Sequence, residues 1–564
     1  MSVLVSKLFQ ANMENFEFVF SKTACVKTCI YFAVMYLAVM IFNTMIISRY
    51  KLINLLTAVK KNEKVRIKNA ILSIMIFIIS CIILGYCYYK VTIDVRTLNT
   101  AEKTMHIILM GILGTFLVFW SLSGFVLKMI QTLKSIYLKG TNMFVLRQIN
   151  NKINTTVISM TLICLMLFMT ISILSSSLAL RNTMEKNLSE MTPVDLNLNK
   201  KANLPEKVIN SRGKEVTYSE EVREDSKLPI SETLINNGFD MKLLKDVIEI
   251  NIYEDINITW EKSLGAYLHE AKDIFPMLQY NTCEEILKIS DYNKIAELYG
   301  IEKYELAEDE YIVLCDYESM KSIRNEAIKR EEIKIEISGK TYKPKYRECK
   351  NGYVEMTGNH MNVGIILVPD SCILTEDMEK EKFLAANYNA ITEEKRNNIQ
   401  EMFESTNSAL IQTLNNRGIE IDGNSKITII QSSVGLATII TFIAIYLGII
   451  FLIASSAILA LKQLTESSDN KQRYIILRKI GCDEKMINSA LFKQIGIFFM
   501  LPLIIGIIHS IFGIQFVIEM MSGLASKKDL LPSVIVTVIV MAAVYGAYFM
   551  ATYLGSKNII KEDA

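Results

Sequence analysis

Seven long apolar segments without Asp, Glu, Lys or Arg constrain this chain more than any other feature. They occupy residues 28–47, 70–89, 106–127, 155–180, 434–461, 495–518 and 531–554. A helix of about 20 residues crosses a hydrocarbon core of roughly 30 Å. A charge near the centre of such a helix would cost about 3 kcal/mol, so charge-free segments of this length insert into a bilayer. The pattern therefore predicts seven transmembrane helices.

One long hydrophilic segment, residues 182–432, separates the fourth apolar segment from the fifth. Its β-branched or alternating stretches predict strands at 247–258, 311–317, 333–337, 363–368 and 419–430. Residues 319–329 and 376–414 look helical. A segment of about 250 residues is large enough to form its own core. The predicted fold is a membrane all-α protein with a large α+β domain inserted between spans four and five.

Basic residues between the spans predict the orientation. The segments 49–68, 128–153 and 462–493 carry more Lys and Arg than Asp and Glu, whereas between the second and third spans Asp94 and Glu102 balance Arg96 and Lys103. Positively charged loops remain in the cytoplasm. The amino end and the segment 182–432 are therefore expected outside, and the carboxyl end inside. Residues 1–24 carry no signal-peptide pattern, so either the first span inserts with its amino end outside or upstream helices are missing.

The sequence carries no visible catalytic, cofactor or metal site. The net charge of +2 does not indicate a nucleic-acid partner, and the ten cysteines form no CxxC pair. Residues 339–341, GKT, resemble the end of a P-loop, but Lys334 stands where the leading glycine is required. His509 lies inside a span, where a neutral, hydrogen-bonded histidine is preferred over an ionisable functional group.

Four cysteines lie in the hydrophilic segment, and their pairing cannot be read from the sequence. They are Cys283, Cys315, Cys349 and Cys372.

A short segment between the fifth and sixth spans is the best candidate for contact with a soluble partner. Residues 474–481 read YIILRKIG, a pattern typical of a short amphipathic helix that ends at its glycine. A helix at the inner membrane face suits docking, although a solvated connecting helix would have the same pattern. The candidate coupling residues are Tyr474, Leu477, Arg478, Lys479, Ile480 and Gly481.

Three segments carry a resemblance to a known family. Residues 143–156, MFVLRQINNKINTT, followed by a span, a large outer domain and three spans, resemble the second half of an FtsX-type permease. Residues 477–516, beginning LRKIGCDEKMINSALFKQIG, are similar to Bce-type permeases. Residues 48–68 resemble the segment after that family's fourth helix. These permeases are membrane subunits of ABC transporters that protect Gram-positive bacteria from bacitracin and lantibiotics.

The resemblance implies a division of the chain. Residues 1–153 would hold the remnant of a first FtsX core, two linking helices and a cytoplasmic amphipathic helix. The residues themselves predict that this helix lies along the inner leaflet before turning into the membrane, because Val145, Leu146, Ile149 and Ile153 share one helical face. Residues 154–181 would be the first helix of a second core, 182–432 the extracellular domain, and 433–564 the last three helices with the coupling loop 462–493. The family has ten helices, so the first three are expected to be absent here.

The resemblance also implies partners and a mechanism. A cytoplasmic ABC ATPase dimer would dock partly at residues 474–481, and its closure would move the helices flanking the outer domain. That domain would act on a peptide or lipid-linked substrate outside. A membrane histidine kinase could respond to the same conformation of the domain. The expected location is the plasma membrane of a Gram-positive bacterium. An FtsX-type machine acting on lipoproteins or cell-wall hydrolases, and a sensor or scaffold without transport, are the alternatives.

Overall fold

Four long helices precede the inserted domain. The computed structural model describes residues 21–48, 70–98, 100–132, 137–209, 215–275, 277–331, 333–520 and 530–561. The first helices are α1 (Lys22–Ser48), α2 (Ala70–Thr92), α3 (Ala101–Thr132) and α4 (Asn142–Met191). The basic loop at 49–68, with its part of the family resemblance, lies outside the described residues.

Helix α4 is one continuous helix of 50 residues. The prediction of an interfacial helix that turns into the membrane after residue 153 is wrong, because α4 passes through that position without a break. The physical reason lies in the composition of α4, which contains neither Pro nor Gly. Nothing in it interrupts the backbone hydrogen-bond ladder, and sharp kinks need such an interruption.

The inserted domain (residues 192–425) alternates strands with short helices. Its first half contains β1 (Leu196–Lys201), β2 (Lys207–Ile209), β3 (Glu215–Thr217), α5 (Glu220–Lys227), α6 (Ile230–Asn236), β4 (Leu244–Thr259), α7 (Trp260–Leu264), α8 (Leu268–Ile274), β5 (Cys283–Lys288) and α9 (Ile289–Tyr299). Its second half contains β6 (Glu310–Leu314), α10 (Glu318–Glu331), β7 (Ile335–Ile337), β8 (Lys340–Pro344), β9 (Ile365–Val368), β10 (Glu379–Tyr388), α11 (Glu393–Glu404), α12 (Ala409–Arg417) and β11 (Asp422–Ser425).

Four helices follow: α13 (Lys426–Asp469), α14 (Lys471–Lys479), α15 (Glu484–Met520) and α16 (Leu530–Ile560). Within the described part of the chain, seven helices are long and apolar enough to cross a membrane, namely α1 to α4, α13, α15 and α16. This number confirms the prediction. The protein is a membrane protein with an inserted extracellular α+β domain.

Nine strands of the inserted domain form one sheet in the order β11-β1-β10-β4-β5-β9-β6-β8-β7. Most neighbours are antiparallel, whereas β5 with β9 and β6 with β8 are parallel. Alternate residues of each strand face opposite sides. One side buries Ile250, Leu287 and Phe383, and the other buries Tyr253 and Ile286.

Two of the predicted elements in the domain are wrong. Residues 376–414, predicted as helix, contain the ten-residue strand β10, which lies between β1 and β4. Helix-forming residues such as Glu379 and Leu384 favour a helix locally, but the burial of this segment in the sheet decides its structure. Residues 419–430, predicted as strand, form only the four residues of β11 before α13 begins at Lys426.

The chain divides into two compact units. One contains Met1–Thr170, Gly448–Phe512 and Val540–Ala564, and the other contains Ile171–Leu447 and Gly513–Ile539. In the first unit, Phe119, Met160, Cys164 and Phe498 belong to one buried apolar cluster. In the second, Met191 from the end of α4 joins the sheet core.

Candidate coupling helix and cavity

Helix α14 is the predicted amphipathic helix between the fifth and sixth spans. It begins after Asn470 and ends before Gly481, whose φ of +89° lies in the left-handed region that glycine adopts without a steric penalty. The backbone N–H groups of Gly481 and Cys482 donate to the carbonyls of Arg478 and Leu477, each at 3.0 Å. These bonds cap the helix and confirm the predicted stop at Gly481.

Tyr474 faces inward rather than towards a partner. It is 1% exposed, and its hydroxyl donates to Oε1 of Gln494 at 2.9 Å. Nε2 of Gln494 donates in turn to Oε1 of Glu466 at 3.1 Å. The ring of Phe144 meets the Tyr474 ring edge-on, with centroids 5.6 Å apart. Burial raises the pKa of the Tyr474 phenol, so the hydroxyl remains a neutral donor.

Arg478 also makes contacts within the chain. Its Nε donates to Oε1 of Glu484 at 2.6 Å, and its Nη1 donates to the carbonyl oxygen of Ile560 at 2.8 Å. Only 15% of the side chain is exposed. Arg478 therefore connects α14 to the start of α15 and the end of α16.

The outward face of α14 is apolar with basic neighbours. Ile476 and Ile480, one turn apart, are 56% and 70% exposed, and Lys479 is exposed beside them. Leu477 is half-buried and Gly481 is exposed. Ile476 is not among the predicted coupling residues, although its spacing of four residues from Ile480 is the signal that places both on one helical face. Exposed apolar residues rimmed by polar ones are typical of a protein-binding surface.

A cavity of about 460 Å³ lies against the central strands of the inserted domain. Asn199 of β1 pairs with Phe383 of β10, Glu381 of β10 with Ile252 of β4, and Glu254 of β4 with Glu285 of β5. All six side chains line the cavity. Sequence reasoning could not find this site, because the residues come from four strands whose register only the folded sheet defines.

A β-bulge gives the cavity adjacent charges of opposite sign. The register between β10 and β4 shifts between Glu379 and Glu381, which leaves Lys380 as the additional residue. Both Lys380 and Glu381 then line the cavity, although neighbouring residues of a regular strand face opposite sides. Lys380 Nζ donates to Oε1 of Glu285 at 2.8 Å.

The loop of residues 352–364 forms another wall of the cavity and contacts the ends of two long helices. Tyr353 lines the cavity and donates its hydroxyl to the carbonyl oxygen of Glu190 at 2.6 Å, near the end of α4. A Cβ atom on Gly358 would lie 2.3 Å from Oγ of Ser433 in α13, so the loop approaches α13 as closely as only glycine allows. The loop that forms this wall is thus hydrogen-bonded to α4 and lies close to α13, the two helices that flank the inserted domain.

His360 adds a polar contact between this loop and α4. Its Nδ1 lies 3.0 Å from Oδ2 of Asp316, and its Nε2 lies 3.5 Å from Oε2 of Glu190. The hydrogen bond with Asp316 raises the pKa of the imidazole, and burial opposes the shift.

His509 in α15 is hydrogen-bonded, which confirms that part of the prediction. The hydroxyl of Thr115 donates to the carbonyl of Gly111 at 2.7 Å, so it accepts from Nε2 of His509 at 3.0 Å. Nδ1 of His509, 2.6 Å from the Tyr88 hydroxyl, then accepts from Tyr88. Both ring nitrogens of a neutral imidazole are satisfied in this arrangement.

The cysteines of the inserted domain are present as free thiols. Cys315, Cys349 and Cys372 are buried, and Cys283 is half-buried. Among the described residues, no cluster of His, Cys, Asp or Glu is arranged to hold a metal ion.

Comparison with known proteins supports the resemblance. Residues 445–564 match the FtsX-like permease C-terminal family. Over 558 residues the chain is 23% identical to the bacitracin export permease protein BceB of Bacillus subtilis strain 168, covering 96% of this chain and 77% of that protein.

Shorter matches each cover about a fifth of the chain. BceB of Halalkalibacterium halodurans is 32% identical over 123 residues, 22% of this chain and 18% of that protein. The ABC transporter permease protein YxdM of Bacillus subtilis is 27% identical over 97 residues, 17% of this chain and 16% of that protein. Together these matches support a Bce-type FtsX-like ABC transporter permease, with the FtsX-like domain at residues 445–564.

Proposed function

We propose that this permease forms part of an ABC transporter that protects a Gram-positive bacterium from bacitracin or a related peptide antibiotic. The observation that carries the proposal is the similarity to a bacitracin export permease along 96% of the chain, which includes the inserted domain. A machine acting on lipoproteins has no comparable support. The chain would lie in the plasma membrane, with its amino end outside and its carboxyl end in the cytoplasm.

The energy for this activity would come from a separate ATPase dimer, since an ABC transporter permease works with an ATPase subunit. We assign the docking surface to the outward face of α14, which comprises Ile476, Lys479 and Ile480. Its two isoleucines are among the most exposed apolar residues of the cytoplasmic loop 462–493. Tyr474 and Arg478 would transmit force rather than bind, because they connect α14 to its neighbouring helices.

The inserted domain would receive motion through α4 and α13. Residues 154–181 of α4 and residues 433–564 would form the second FtsX-type core, which the inserted domain interrupts in the sequence. The contacts of Tyr353 with Glu190 and of Gly358 with Ser433 support this route, because they join the wall of the cavity to both helices. A membrane histidine kinase could respond to the same displacement.

The test replaces both isoleucines of the docking surface. Ile476→Asp with Ile480→Asp should abolish recovery of the ATPase with the permease and should remove bacitracin resistance in cells that express both subunits. The matched control is Gln472→Asp, which alters an exposed polar residue at the start of the same helix. Normal ATPase recovery with the double variant would show that this surface does not bind the ATPase. If cells with the unsubstituted transporter were as sensitive to bacitracin as cells without it, bacitracin would not be the substrate.

A further inference from the structure

We propose that the cavity of the inserted domain binds an organic cation, an ammonium or guanidinium group attached to an apolar body. The inference rests on the proposed function for the side of the membrane from which the ligand arrives. Binding itself is a property of the cavity and is measurable without the ATPase.

The size and shape of the cavity suit a small ligand or one side chain of a larger ligand. A volume of about 460 Å³ lies within the range of roughly 300–1,000 Å³ of small-molecule sites. The cavity lies against the paired strands β1, β10, β4 and β5, so its floor is rigid. At its wall, Nδ2 of Asn199 donates to Oε1 of Glu355 at 3.4 Å.

The charge of the cavity wall determines which sign of charge a ligand should carry. Four carboxylates line the cavity, those of Glu254, Glu285, Glu355 and Glu381, against the single ammonium of Lys380. Lys380 is paired with Glu285 at 2.8 Å. Three carboxylates remain after this pair is subtracted from the four, and they would repel phosphate or pyrophosphate. A cation is the complementary ligand.

The titration of the cavity supports an unbalanced negative charge. Burial, followed by the neighbouring Glu285 carboxylate, raises the pKa of Glu381 to about 7. Burial and the same neighbour raise the pKa of Glu355. A bound cation would lower the electrostatic energy of both ionised groups, so their ionisation and ligand binding are linked.

Apolar residues extend from the acidic groups along the same strands. Phe383 follows Glu381 at the spacing of two residues that keeps both on one face, and Ile252 precedes Glu254 in the same way. Met191 and Tyr353 complete the apolar wall, and Met361, at 59% exposure, lies at its rim. A ligand that carries its charge at one end of an apolar body matches this arrangement.

One of the lining residues, Trp260, offers a spectroscopic signal for binding. Its ring lines the cavity, and the buried guanidinium of Arg324 lies 4.5 Å from the centre of the ring. The chain contains only one other tryptophan, Trp120. Trp260 is therefore a built-in fluorescent reporter of the cavity once Trp120 is replaced by Phe.

The experiment uses the full chain in detergent with Trp120→Phe, titrated at pH 8 with 2-phenylethylamine. Neutral 2-phenylethanol and anionic phenylacetate are the matched probes. The amine should change Trp260 fluorescence and release heat in calorimetry, with an affinity at least about tenfold above that of the alcohol, while phenylacetate should not bind. A charged hydrogen bond contributes free energy of this order.

Two substitutions test the carboxylates. Glu254→Gln and Glu381→Gln should each weaken amine binding about tenfold, whereas Glu393→Gln, on the exposed side of α11, should leave it unchanged. Melting curves establish that each variant is folded. If Glu381→Gln fails to fold, Glu254→Gln decides the question alone.

Lowering the pH provides a further readout. The groups around Glu381 are Glu285 of β5, Glu254 of β4, Glu355 of the loop, Asp422 of β11, Lys201 of β1 and the adjacent Lys380. Protonation of Glu381 below pH 7 removes a negative charge, so amine affinity should fall several-fold between pH 8 and pH 6. Equal binding of amine and alcohol, or no binding by either method, would overturn the proposal. If the unsubstituted transporter bound the amine but gave no bacitracin resistance, the proposed function alone would be wrong.

Discussion

At the residue scale, charged side chains are deeply buried in the inserted domain where they have a partner of opposite charge. Nη2 of Arg324 lies 2.9 Å from each carboxylate oxygen of Glu284, and the two side chains are 2% and 0% exposed. Gly364 makes room for the guanidinium, because a Cβ there would lie 2.3 Å from Nη2. Removing one member would leave the other as an uncompensated buried charge.

Arg324→Met should therefore destabilise the inserted domain by about 3–5 kcal/mol. The measurement is thermal unfolding of the full chain in detergent, followed by circular dichroism. Lys303→Met is the control, because Lys303 forms an exposed pair with Glu297 at 2.9 Å, and such pairs contribute about 0–1 kcal/mol. Equal melting temperatures for the two variants would show that the buried pair contributes no more than the exposed one.

His360 should make the contact between the loop 352–364 and α4 depend on pH. Its pKa is raised above the ordinary value of about 6.5, chiefly by Asp316. The stabilisation is therefore fully present below about pH 6.5 and is lost as the pH rises through the raised pKa. Hydrogen exchange of this loop, corrected for the intrinsic rate, should be faster at pH 9 than at pH 6. His360→Asn should remove the difference, and an unchanged pH effect in that variant would assign it to another group.

At the element scale, α14 combines a buried side with an exposed side. Tyr474 and Arg478 hold it to α15 and α16, whereas Ile476 and Ile480 remain uncovered by the described residues. The two sides can therefore be changed separately.

Tyr474→Phe should weaken the transmission of force between the ATPase and the permease without preventing the two subunits from binding each other. The variant retains the ring contact with Phe144 but leaves Oε1 of Gln494 without its donor, a loss of about 1–3 kcal/mol. Bacitracin-stimulated ATP turnover of the assembled transporter should fall, while ATPase recovery stays unchanged. A proportional fall in both would place Tyr474 in the docking surface after all.

At the scale of the whole molecule, the order of spans and loops predicts which side of the membrane each part occupies. Asp309, in the inserted domain, and Lys561, after α16, are both exposed. Asp309→Cys should react with a membrane-impermeant maleimide on intact cells, and Lys561→Cys should react only after the cells are opened. Peptide mapping separates these labels from native cysteines. Reaction of both on intact cells would overturn the proposed orientation.

The spans and the end of α14 could be predicted from sequence because local chemistry determines them. A charge-free segment of about 20 residues inserts wherever it stands in the chain, and Gly481 ends α14 through its own backbone freedom. The central strand β10 could not be predicted in this way. Its residues favour a helix, and only its position between β1 and β4 makes the extended form the stable one.

The sequence by itself determined that this chain contains seven segments long and apolar enough to cross a membrane, that a large polar domain interrupts them, and that a short amphipathic helix precedes the sixth. Tertiary structure decided which face of that helix is covered, because Gln494 and Ile560, distant in the chain, bind Tyr474 and Arg478. It also determined that an acidic cavity forms, because the register of separate strands brings Glu254, Glu285 and Glu381 together. Insertion depends on the composition of one segment, whereas a site depends on contacts between segments that sequence order does not reveal.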